Sequence, residues 1–343
     1  MSAPFMLAPM AEISHRALRE LIEGFEGFAG EPGGEGQEYF TEMLSAGALL
    51  GGGPFESWYL DAGPCPRRLV YQLAGADPAR LERAAALLDR RDCLGIDINM
   101  GCAAPAIRRT GAGTAWMADI NKAAAMIGRV RDAVRQRRLS VKLRLDGSPG
   151  GGLGTAAPPQ ERAAGPADIL EYLVRFCRRL EAEGVELITL HPRRAGEKFK
   201  RRARWEYVEA LRRELAIPVA GNGDIGTAAE LLRRAGEGRA MVGRAAVRQP
   251  WIFAEARSPA GTGRPPVNLE ETALRFLELL ARYQPPEFHI SRARRFFNYF
   301  CDNLKWGTHV KNLLNREQSL GGIERAWKAY FAAHPEESLP PPG

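Results

Sequence analysis

The stretch IPVAGNGDIGTAAELLRRAGEGRAMVGRAA, residues 217–246, contains the unit from which the whole chain reads. IPVAGNGD (217–224) is a short apolar run that breaks into small and polar residues, the pattern of a buried strand leaving a sheet. TAAELLRRAG then begins on threonine and stops on glycine, as a helix does, and RAMVGRAA (239–246) is the next strand.

Working outward, the same rhythm recurs in FMLAP (5–9), EYFTEM (38–43), RLVYQLAG (68–75), GIDINMG (95–101), SVKLRL (140–145) and VELITLH (185–191). Amphipathic segments lie between them, among them SHRALRELIEGF, PARLERAAALLDR, INKAAAMIGRVRDAV, ILEYLVRFCRRLEAEG and WEYVEALRREL. Eight strand-then-helix units in about 250 residues predict an α/β fold, a (β/α)8 TIM barrel, with a doubly wound sheet as the alternative. DGSPGGGLGTAAPPQERAAGPAD (146–168), rich in glycine and proline, predicts a long loop after the fifth strand. SPAGTGRPPVN (258–268) predicts a linker, because ETALRFLELLARY, HISRARRFFNYFCDNLKW and GGIERAWKAYFAAH beyond it carry helical periodicity and no strand signal. The expected organisation is a barrel over 1–257, a linker over 258–269 and a small all-helical domain over 270–343.

With 343 residues, 45% of them hydrophobic, the chain can bury a full core. No run approaches the roughly 20 apolar residues that span a bilayer, and MSAPFMLAPM lacks a basic leader, so a cytoplasmic protein without membrane contact is expected. Its five cysteines are scattered without a C-x-x-C pair, which argues against disulfides and a metal site. The net charge of +7 suits a polyanion, and it concentrates in HPRRAGEKFKRRARW (191–205) and RARR (292–295).

A barrel places its active site where strands end. Those ends are polar: Pro9-Met10, Glu42, Gln72, Asn99 with Cys102 just beyond, Lys142, His191 and Arg193, Asn222-Gly223-Asp224, and Gly243-Arg244. The loops after strands seven and eight, GNGD and VGRA, let backbone N–H groups approach a phosphate that Arg244 neutralises. Lysine on strand five and histidine on strand six supply positive charge for a reduced isoalloxazine ring. With no G-x-G-x-x-G after the first strand, FMN is the expected cofactor.

These residues also carry a family likeness. LAPMAEISHRALR (7–19), TEMLSA, YQLAG, DINMGC, GAG, VKLRL, GNGDI and VGRAAVRQPWIF fall in the order and spacing of the tRNA-dihydrouridine synthases, which the chain resembles over residues 5–255 and more loosely beyond. The resemblance implies flavin contacts from Pro9, Met10, Ala11, Gln72, Lys142, His191, Asn222, Gly223, Asp224, Gly243 and Arg244. It implies Cys102 as the catalytic residue and Asn99 and Arg193 as holders of the uracil. It further implies tRNA as substrate, NADPH as reductant of the flavin, and a C-terminal region that grips the RNA; a monomer is expected. Ala103 and Ala106 stand where the family usually has proline and lysine, and Arg201 where glycine is common. Arg108 and Arg109 beside them are read as compensating charge at the mouth for the RNA.

The chemistry of a thiol fits that role. Hydride addition at C6 of uracil builds negative charge toward C5, and an acid must then protonate C5. A free thiol, with a pKa of about 8.5, is protonated at neutral pH yet acidic enough to give its proton up. Two alternatives remain at this point: an oxidoreductase of free pyrimidines resembling dihydroorotate dehydrogenase, and a flavin-bearing RNA-binding protein that no longer catalyses.

Overall fold

The computed structural model describes residues 5–25, 36–145, 165–197, 201–236, 238–258 and 264–341. Eight parallel strands close into a barrel in sequence order: β1 (Phe5–Leu7), β2 (Glu38–Ser45), β3 (Leu69–Ala74), β4 (Gly95–Met100), β5 (Arg138–Arg144), β6 (Leu187–His191), β7 (Val219–Asn222) and β8 (Arg239–Val242). All eight lie where the apolar runs predict them.

Because side chains alternate along a strand, each strand feeds two cores. Met6, Ala8, Phe40, Val70, Leu187, Ala220 and Met241 fill the barrel interior. The other phase, for example Ile96, Ile98 and Met100 on β4 or Leu139, Val141 and Leu143 on β5, packs outward against the helices. The inward phase therefore turns polar as it climbs: Asp97 and Asn99 on β4, and Ser140 and Lys142 on β5. Extending the alternation past the apolar plug is what builds a site at the strands' carboxyl ends.

β2 breaks this phase. Its register against β3 shifts between Phe40 and Met43, the mark of a bulge. Thr41 fills the gap by accepting from the Gln72 N–H at 3.1 Å. Met43 thereby faces the cavity and Glu42 does not, which corrects the expectation of Glu42 on the rim.

Several helices begin as the sequence indicates: Asp77, Asp119 and Thr227 each accept a backbone N–H of the first turn. The first helix, Arg16–Glu23, departs from this: Ser14 closes a turn onto Met10, and His15 occupies the cap position without a side-chain bond. The loop expected over 146–168 falls mostly outside the described residues; a helix is already under way at Pro166.

The C-terminal region is helical, as expected: Leu269–Tyr283, His289–Phe300, Gly307–Arg316 and Leu320–Ala333. HISRARRFFNYFCDNLKW is not one helix, however. Asn303 donates to the carbonyls of Arg248 (2.6 Å) and Phe300 (2.9 Å), fixing a tight turn, and Gly307 packs so close to the Cys301 carbonyl that a Cβ would collide with it. Phe276 stacks on Phe296 with centroids 3.8 Å apart, and Phe297 meets Trp327 at 5.0 Å, so Phe296, Phe297 and Phe300 are core residues rather than an RNA-facing row. One continuous set of buried side chains runs from the barrel's helices into these.

Candidate active site at the carboxyl ends of the strands

A cavity of about 1010 Å³ opens at the carboxyl end of the barrel. Pro9, Met10, Ala11, Gln72, Asn99, Cys102, Lys142, His191, Arg193, Asn222, Gly223, Asp224, Gly243 and Arg244 all line it. Arg108 and Arg109 do not; they lie exposed at the end of a short helix, Pro105–Arg109, that starts just beyond Cys102.

Cys102 is half-buried in the loop after β4. Asn99 shapes that loop by accepting from the N–H groups of Cys102 (2.9 Å) and Gly101 (3.3 Å). The Cys102 carbonyl accepts from Thr114 at 3.0 Å, across Gly113, whose φ of +64° and lack of a Cβ allow that approach. This is the physical content of the Gly-Ala-Gly run at 111–113. Cys93, Cys177 and Cys301 are fully buried in the core, the ordinary fate of a cysteine, and Cys102 is not.

Below the loop, polar groups are chained. Ser140 donates to Asp97 Oδ1 (2.7 Å), Gln72 Nε2 donates to Asp97 Oδ2 (2.8 Å), and Asn99 Nδ2 donates to Gln72 Oε1 (2.8 Å). Burial raises the Asp97 carboxyl to about 6 despite these bonds and the nearby cations Lys142 and Arg138.

Burial, reinforced by Arg144, lowers the Lys142 ammonium to about 8, while Asp97 and Cys102 pull the other way. Lys142 has no ion-pair or hydrogen-bond partner among the described residues. His191 is lowered to about 2, first by burial and then by Lys142, Arg144, Arg193 and Arg244, so its imidazole is neutral. Arg193 Nη1 donates to His191 Nε2 at 3.1 Å, which places the ring proton on Nδ1.

Arg193 is the most deeply buried of the cations, 1% exposed. It pairs with Asp224 and donates to the Arg201 carbonyl at 2.6 Å. Asp224, at φ +55°, and Gly223, at +125°, turn the chain sharply so that Asp224 meets both Arg193 and the Ala203 N–H (2.7 Å). The basic run after His191 is thus partly structural; Arg204 pairs with Glu197, Arg201 and Arg202 are exposed, and Lys198 and Lys200 lie outside the described residues.

Sequence reading missed Met43, Arg144, Glu230, Arg248, Arg295, Tyr299 and Asp302, all of which line the cavity. Arg144 was within reach, two residues past Lys142 on the same phase of β5. Arg295, Tyr299 and Asp302 come from the C-terminal helical region, and no periodicity announces that it roofs the barrel.

A family model described as "Dihydrouridine synthase (Dus)" matches residues 6–151 and 161–326. The tRNA-dihydrouridine synthase B of Pseudomonas aeruginosa is 27% identical over 337 residues, covering 95% of this chain and 92% of its own. That of Proteus vulgaris is 30% identical over 278 residues, covering 77% and 74% respectively. The cavity lies within the matched residues and carries the cysteine, lysine and histidine that the motifs point to, and the chain belongs to the dihydrouridine synthase family.

Proposed function

We propose that the protein reduces uridines in tRNA to 5,6-dihydrouridine, with FMN held in the cavity and NADPH as its reductant. The observation that carries this reading is that Cys102 opens onto the same cavity as the buried cation Lys142. Family membership and the names of the relatives support uridine in tRNA as the target.

The residues present suit FMN. A buried ammonium with no partner among the described residues, facing a space of about 1010 Å³, fits a polar, anionic occupant of that size class. Lys142 and neutral His191 would border the ring, Gln72 and Asn222 would contact its polar edges, and Gly243 with Arg244 would receive the phosphate. Bound there, FMN would supply a hydride to C6 of the uracil.

The chain's own groups account for the rest. Cys102 Sγ donates a proton to C5, so the C5=C6 double bond gains one hydride and one proton. Asn99 and Arg193 orient the base, and Arg108, Arg109, Arg201 and Arg202 meet phosphates that offset the few kcal/mol needed to turn a base out of its stack. Residues 270–343 act as an RNA-gripping unit next to the barrel.

Purified protein, expected to be yellow, is incubated with unmodified tRNA and NADPH and the product nucleosides are counted. Dihydrouridine should form, and Cys102→Ala should slow its formation by about 10²–10⁴-fold. Oxidation of dihydroorotate with tRNA left unchanged would overturn the reading.

A further inference from the structure

The chain of side chains beneath Cys102 has chemically unlike ends. At the top, the N–H groups of Gly101 and Cys102 can only donate; at the bottom, the ionised Asp97 carboxylate can only accept. Between them stand two carboxamides, Gln72 and Asn99, each with one donating and one accepting side. Only one orientation of both amides satisfies both ends: Asn99 turns Oδ1 to the loop and Nδ2 to Gln72, and Gln72 turns Oε1 to Asn99 and Nε2 to Asp97. Reversing Asn99 sets donor against donor at the loop, and reversing Gln72 sets oxygen against oxygen at Asp97; either leaves buried polar groups unpaired. Asp97 is fully buried, and Gln72 is 1% exposed, so water offers no substitute partner.

With Oδ1 consumed by the loop, the polar atom Asn99 has left for the cavity is the second N–H of Nδ2. We propose that Asp97 is a positioning residue which, through Gln72, holds Asn99 with an N–H toward the cavity and thereby makes the floor of the site select a carbonyl-bearing pyrimidine edge. A uracil carbonyl accepts from that N–H, whereas the amino group of a cytosine in the same place would oppose it. The same lock fixes the Cys102 loop, so base recognition and placement of the thiol depend on one set of bonds. The inference deepens the reading of the cavity as a uridine site and rests on it.

The test uses holoenzyme with unmodified tRNA and compares Asp97→Leu, which cannot accept, with Asp97→Asn, which can. Asp97→Leu should lower kcat by roughly tenfold or more with KM for tRNA little changed, because phosphate contacts remote from the base govern KM. Asp97→Asn should stay within about threefold of wild type, since its oxygen can still serve Gln72 and its NH2 can face Ser140. In an Asn99→Ala background, Asp97→Leu should add no further loss, as expected of a residue that acts through Asn99. Alkylation of Cys102 by iodoacetamide, read by peptide mapping in holoprotein and apoprotein alike, should be faster in Asp97→Leu.

Additive losses in the Asn99→Ala background, equal damage from the two Asp97 variants, or unchanged alkylation would each overturn the proposal. If the wild-type protein leaves tRNA uridine intact, the proposed function fails instead. The alkylation comparison still decides the lock.

Discussion

Glu42 on β2 and Arg292 on the helix His289–Phe300 form an ion pair at 3.2 Å, with side chains 5% and 3% exposed. The bulge in β2 aims Glu42 away from the cavity, and Arg292 meets it from the C-terminal region, stacked near Tyr59 and Phe288. Glu42 also accepts from the Glu12 N–H at 2.6 Å, so the loop that places Pro9, Met10 and Ala11 on the cavity wall hangs from the same carboxylate. Barrel, the cavity-lining loop after β1 and the helical region are thus joined at one buried charge.

Breaking that pair on one side should be costly. Arg292→Met leaves a buried carboxyl whose pKa burial already raises, and the expected loss of stability is about 3–5 kcal/mol. Pairing it with Glu42→Leu, which removes the stranded charge, should recover much of the loss. Urea unfolding of the two single variants and the double variant measures this; three equal midpoints would show that the pair contributes nothing.

A second prediction concerns Asp97 and pH. Its carboxyl titrates at about 6 in the fold against an ordinary 3.8, so between those values the folded protein binds more protons than the unfolded chain. Wild-type stability from this group is therefore fully present below about pH 4 and lost as pH rises through about 6. Asp97→Asn carries no such titration and should gain on wild type across that window, by an amount on the order of 3 kcal/mol at pH 8. Thermal melts at pH 4 and pH 8 check the sign, and a stability gap that shrinks with rising pH would contradict it.

Gly113 supports a third. Its φ of +64° and its contact with the Cys102 carbonyl leave no room for a Cβ, so Gly113→Ala must shift the loop that carries the thiol. The expected cost is about 1–3 kcal/mol of stability, with a fall in dihydrouridine formation out of proportion to it. Gly52, also left-handed at φ +66° but with open space around the missing Cβ and remote from the cavity, is the control: its alanine variant should lose stability and keep activity.

These relationships divide into what alternation can announce and what it cannot. Asn99, Lys142 and His191 were legible because each continues the inward phase of a strand whose apolar residues already define it, and the phase alone says which side chains reach the cavity. Glu42 was misplaced because a bulge inverts the phase and leaves no mark in EYFTEM. Arg193 sits beyond the strand, where period two no longer applies, and its ion pair with Asp224 depends on two residues at positive φ in the next loop but one. Asp97 went unremarked for the opposite reason: its phase is correct, yet a buried acid among hydrophobic neighbours gives no hint that Gln72, on another strand, will be its partner.

Cys102, proposed as the proton donor, and the cation Lys142 on the same cavity should respond differently to substitution. Cys102→Ala should lower uridine reduction by about 10²–10⁴-fold, the usual contribution of a proton-transfer group, while NADPH oxidation with an artificial electron acceptor continues. Lys142 should act through its charge instead. Burial holds its ammonium at about 8, so the positive charge is present at neutral pH and lost as pH rises through 8. Wild-type flavin affinity should therefore weaken on the alkaline side of that value. Lys142→Met should be weak throughout and show no such limb, whereas Lys142→Arg, charged at every working pH, should flatten the profile from above. Because His191 stays neutral down to about pH 2, no limb near pH 6.5 should come from it. Flavin binding measured from pH 6 to pH 10 across the three proteins decides the assignment, and an alkaline limb that persists in Lys142→Met would move it to another group.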